Sequence, residues 1–84
     1  MDTRTWRRAG YIPAGDVARA LGHPPITLHR YMDKGEIAFE RQGRYRFIHV
    51  NEMVRWIRAT YSDRTIQNEK IHKVRDAVRV RSQS

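Results

Sequence analysis

Apolar residues recur at helical spacing, then at alternate positions, then at helical spacing again along this 84-residue chain. Residues 1–10 (MDTRTWRRAG) show no clean period and end in glycine, which predicts a flexible basic arm with Trp6 free to dock onto the body. Val17, Ala18 and Leu21 then form one narrow apolar face, with Pro13 and Asp16 at its start and Gly22 at its stop. A short helix is expected there. Pro24-Pro25 breaks it, and Pro25 opens a second helix over 25–34, closed by Gly35. In that helix Leu28, Tyr31 and Met32 share the inward face. Arg30 and Asp33 point away, flanked by Thr27, His29 and Lys34. Two short helices joined by a tight turn outline a helix-turn-helix.

After Gly35 the period becomes two, which predicts strands at 37–42 and 44–49 around the turn Gln42-Gly43-Arg44. Arg41, Arg44 and Arg46 crowd the tip of this hairpin. Asn51 is the expected cap of a third helix, 52–61, whose Met53, Val54, Trp56, Ile57 and Tyr61 make a broad apolar face. Beyond it, Ser62-Asp63 either caps or interrupts, and Ile66, Ile71, Val74 and Val78 supply a thin stripe. Arg64, Lys70, Lys73, Arg75, Arg79 and Arg81 dominate the charge there. Three readings stay open for this tail: a separate helix, a continuation of the third, or a segment ordered by a partner. An isolated helix of this length is marginal, so something must bury the stripe. The last four residues are expected to fray. The fold class that follows is mainly α with a small β-hairpin. Its parts are a basic arm (1–10), a core domain (11–61) and a basic helix or tail (62–84) for oligomerisation or partner binding.

Charge sharpens this picture. Seventeen Lys and Arg stand against nine Asp and Glu, for a net +8, and fourteen of the seventeen are arginine. Such an excess attracts polyanions, and planar guanidinium groups suit phosphates and guanine edges. A merely solvating surface is the bland alternative. No apolar run reaches the roughly 20 residues needed to span a bilayer, and the N-terminus lacks a signal-peptide core, so a cytoplasmic location is expected and no membrane partner. Cysteine is absent. His23, His29, His49 and His72 lack ligand spacing, and no P-loop, nucleophile elbow or glycine-rich dinucleotide motif occurs. Neither an enzyme nor a cofactor or metal is expected.

The segment 11–58 resembles the winged helix-turn-helix shared by MerR-type regulators and phage excisionases. The matching residues are Asp16-Val17-Ala18, Leu21-Gly22, Thr27-Leu28, Arg30-Tyr31 and Gly35, followed by the wing RQGRYRF (Arg41 to Phe47) and a short helix with Trp56. Two features depart from the pattern: Pro24-Pro25 fills a turn that is usually small or polar, and no long MerR-type dimerisation helix follows. The resemblance implies a second helix in the major groove of double-stranded DNA and a wing along the minor groove or backbone. It makes Thr27, His29, Arg30, Lys34, Arg41, Arg44 and Arg46 the candidate DNA contacts. Thr27 has helix capping as an equal alternative, Arg30 a pairing with Asp33, and Arg46 a tie to the third helix. Arg55 and Arg58 are expected to decorate the solvent face. The function implied is that of an excisionase-like architectural factor of a phage or mobile element, near the nucleoid, recruiting a recombinase or self-associating through residues 62–81. A small transcription regulator, a terminase small-subunit-like packaging protein and a protein-interaction adaptor on the same fold are the alternatives.

Overall fold

A computed structural model describes residues 3–79. In chain order they form α1 (Thr3–Arg8), β1 (Tyr11–Pro13), α2 (Ala14–Leu21), α3 (Pro25–Asp33), β2 (Glu40–Gln42), β3 (Tyr45–His49), α4 (Val50–Thr60) and α5 (Arg64–Val78). The expected fraying of residues 81–84, and Arg81 itself, lie outside the described residues.

Glycine and proline set the helix-turn-helix. Gly22 ends α2 in the left-handed conformation (φ 72°), with its N–H and that of His23 closing on carbonyls of the last turn. Extended Pro24 and then Pro25 start α3 three residues later, because a fixed φ and a missing N–H cost nothing at a first helical position. Leu28 and Met32 drop from α3 into a core shared with Val17, Ala18 and Leu21 of α2 and with Met53, Trp56 and Ile57 of α4. Tyr31 packs on Trp56 (centroids 5.1 Å apart).

The sheet is antiparallel, in the order β1-β3-β2. β1 was not expected. Three residues are too few to show a period, and Pro13 is tolerated because β1 is an edge strand. The wing strands are also shorter than the alternation suggests, with β2 covering only Glu40–Gln42 instead of 37–42. Ile37 is fully buried, Phe39 packs on the core, and the Ala38 N–H is given to the Glu52 carboxylate at 2.8 Å instead of to a strand. One sheet face, with Ile12 and Ile48, closes the helical core. The other carries Phe47, on which Trp6 of α1 stacks with centroids 4.6 Å apart and an interplanar angle of 5°. Trp6 therefore docks as the sequence allowed, and the segment around it is helical.

α4 begins two residues earlier than expected, and its cap is His49 in place of Asn51. The His49 Nδ1 accepts the Asn51 N–H at 3.1 Å, so its Nε2 bears the proton and donates to the Ala9 carbonyl at 3.1 Å. Asp63 caps α5, accepting from the N–H groups of Thr65 (2.8 Å) and Ile66 (3.2 Å). α5 is thus a separate helix, the first of the three readings. Its stripe is buried by the body of the same chain: Ile71 and Val74 are core residues, Val78 packs against them, and Ile66 is left exposed. Arg7 fastens the arrangement, donating to both the Asp16 carboxylate of α2 and the Ala77 carbonyl of α5.

Candidate nucleic-acid interface

With Leu28 and Met32 pointing inward, the turn of about 100° per residue puts Ile26, Arg30 and Asp33 on the opposite, outward stripe of α3. Lys34 and Thr27 lie along one flank of that stripe and His29 along the other. Arg30 and Lys34 are exposed, and Thr27 and His29 are half-buried. The Thr27 N–H bonds the Pro24 carbonyl at 3.0 Å. Pro24, which has no side-chain acceptor, holds the N-cap position, so Thr27 is the third residue of the helix and not its cap.

The wing meets this stripe through Arg46. Its guanidinium reaches Asp33 at 3.0 Å and lies 4.9 Å from the centre of the Phe39 ring, leaving the side chain only 15% exposed. Sequence reasoning offered Arg46 a tie to the helix expected at 52–61, which is α4; the structure ties it to the last turn of α3 instead. Asp33 is consequently the partner of Arg46 and not of Arg30. Arg41 sits directly across the ladder from Arg46, so the two side chains leave the same sheet face, the one turned toward α3. Arg44 follows Gly43 at the hairpin tip, where the glycine takes φ 61°. Among the described residues, Arg30, Lys34, Arg41 and Arg44 pair with no carboxylate, whereas Arg7, Arg19, Arg46, Arg55 and Arg79 do. The wing face that carries Arg41 and Arg46 is joined through Arg46 to Asp33, on the stripe of α3 that also bears Arg30, and Arg44 stands at the end of that hairpin.

A second brace fixes the link between α3 and the wing. Glu52 on α4 accepts from Arg55 through Nε (2.8 Å) and Nη2 (2.7 Å), and Arg55 Nη2 also donates to the Glu36 carbonyl at 2.9 Å. Together with the Ala38 N–H bond, this pins both ends of Glu36–Ala38 to α4. The Arg55 hydrogen bond holds the Glu52 carboxyl below its ordinary range; burial opposes it, and the Ala38 hydrogen bond and the Arg55 charge add smaller lowering effects. Arg55 was expected to be a plain solvent-facing residue; its i,i+3 spacing from Glu52 was the available signal. Arg58 is exposed, as expected.

Among the described residues no group of three or more His, Cys, Asp or Glu side chains is placed to hold a metal ion. No helix among them is long and apolar enough to cross a membrane. What the arrangement offers chemically is a helix stripe and a hairpin, both carrying positive charge that no carboxylate among the described residues pairs with. The sequence model of the helix-turn-helix domain family matches residues 14–61, from the start of α2 to the residue that ends α4. No curated protein and no solved structure matches the chain.

Proposed function

This chain belongs to the helix-turn-helix domain family, and we propose that it is a sequence-specific binder of double-stranded DNA acting as an excisionase-like architectural factor of a phage or mobile element. Membership of the family carries DNA binding as the general activity. The observation that supports binding to DNA best is that Arg30 and Lys34 of α3 and Arg41 and Arg44 of the wing all pair with no carboxylate among the described residues, although Arg8, Arg58, Arg64 and Arg75 elsewhere are unpaired too. In helix-turn-helix complexes the second helix lies in the major groove with its early residues toward the base edges. Arg30 then faces guanine O6 and N7, and Thr27 and Lys34 face the flanking phosphates, with His29 at the opposite margin. Arg44 enters the minor groove, which attracts guanidinium where it is narrow. Arg41 clamps a phosphate, and Arg46 holds the wing at its angle to α3.

One helix and one hairpin read few base pairs, so repeated sites and cooperative occupancy follow from geometry. The outer face of α5, with Arg64, Lys73 and Arg75 exposed, is the surface on which a recombinase or a second subunit would be met. Burial of Ile71 and Val74 within the chain's own core counts against the adaptor alternative, which needed that stripe free. Footprinting on the genomic DNA flanking the gene tests the proposal. Tandem protected sites that lose about 1–3 kcal/mol of discrimination against altered bases in Arg30→Ala support it. A single palindromic site over a promoter would favour a transcription regulator, and unchanged discrimination in Arg30→Ala removes the base-reading role.

A further inference from the structure

Ile26 is 64% exposed, the most exposed large apolar side chain among the described residues. It lies on the outward stripe of α3, one turn before Arg30. The surroundings narrow what it meets. Pro24 and Pro25 before it are exposed too and have no N–H to offer, and the Thr27 N–H is already given to Pro24, which leaves the Ile26 N–H as the donor at this helix start. This end of α3 is therefore poor in phosphate-gripping donors and presents an apolar tip. Further along, the same face carries Arg30 and Lys34, and the wing beside it carries Arg41 and Arg44, none paired among the described residues. That uncompensated charge opposes an apolar protein partner and suits a polyanion. Duplex DNA shows one apolar group on its base edges in the major groove, the C5-methyl of thymine.

We propose that Ile26 is a specificity-determining residue that packs on a thymine methyl group next to the base pair read by Arg30. The inference rests on the DNA-binding reading above and adds a residue that charge-based reasoning passed over. Arg30 supplies hydrogen bonds to one base pair, and Ile26 supplies shape and desolvation at its neighbour.

The test uses the full chain and a duplex selected by it from a random-sequence library. Each thymine is replaced in turn by deoxyuridine, which removes only the methyl group. One replacement is expected to weaken wild-type binding about fourfold, the worth of one buried methyl. In Ile26→Ala that sensitivity disappears, while Ile26→Val keeps most of it; circular dichroism of both variants stays native, because the side chain is outside the core. If no thymine is sensitive, or Ile26→Ala remains equally sensitive, the inference is overturned and the DNA-binding reading stands. A changed sedimentation coefficient for Ile26→Ala with thymine sensitivity intact would make Ile26 a subunit contact, which also overturns it. Failure to select any duplex, even at low salt, removes the DNA-binding reading and this inference together.

Discussion

Gly10→Ala tests how the wing is mounted on the body. Gly10 has φ +94°, and a Cβ placed there would stand 2.6 Å from Nε2 of His49. The positive φ alone costs an ordinary residue about 1–2 kcal/mol. The ring must also move, and two bonds go with it. The Nε2–H bond to Ala9 has a net worth of about 0.5–1.5 kcal/mol. The cap on the Asn51 N–H is worth about 0.5–2 kcal/mol. A loss of about 2–5 kcal/mol follows, or a melting temperature lower by at least about 8 °C at the usual conversion for a domain of this size. Urea and thermal unfolding followed by circular dichroism measure it. The mechanism makes a sharper demand through His49→Ala. Displacing the ring can cost no more than its own contacts are worth, so adding His49→Ala to Gly10→Ala should change little. The double variant then falls short of the summed single losses by about 1–3 kcal/mol, far beyond the scatter of independent sites. Additive losses, or a Gly10→Ala protein within about 0.5 kcal/mol of wild type, refute the reasoning.

Three further outcomes follow from the packing and the braces. Ile71→Ala should cost about 2–5 kcal/mol in denaturant unfolding, since Ile71 is in the core, whereas Ile66→Ala on the exposed end of the same helix should cost under about 1 kcal/mol; equal losses would contradict the docked position of α5. Because Arg55 lowers the Glu52 pKa in the folded state, Glu52 stabilises the fold above the ordinary carboxylate range, and this contribution fades as pH falls through and below that range. Glu52→Gln should therefore flatten the acid limb of stability against pH and lower stability at neutral pH by about 1 kcal/mol, and an unchanged acid limb counts against the brace. Arg46→Ala should cost more stability than Asp33→Asn, because it loses the Phe39 contact (about 0.5–1 kcal/mol) as well as the ion pair.

Much of this architecture is legible in the chain because local chemistry and tertiary packing agree over 14–61. Gly22, Pro25 and Gly35 punctuate α2 and α3, Gly43 marks the hairpin turn, and the apolar faces of α2, α3 and α4 are those that become buried. What stayed hidden depends on distant partners. α1 has six residues and no acidic first turn to announce it, and Trp6 is held by Phe47, far along the chain. β1 is visible only through its pairing with β3. Histidine is an unusual cap, so Asn51 drew the assignment that His49 fills. The same limit applies to the interface. The exposed positions of α3 and the arginines of the wing follow from periodicity, but which arginine is spent on Asp33 and which is left unpaired does not. Nothing in the charge pattern points to Ile26, whose exposure on α3 shows only in the folded chain.

The salt dependence of duplex binding reports most directly on whether α3 and the wing meet DNA. Affinity of the full chain for a selected duplex, measured by fluorescence anisotropy from about 50 to 200 mM salt, should fall steeply and linearly on logarithmic axes. Arg41→Ala should retain the native circular dichroism spectrum and lower that slope by about one, as expected for the loss of one phosphate-clamping cation. A slope near zero, or no duplex binding at the lowest salt, would contradict the claim that α3 and the wing form a surface for DNA.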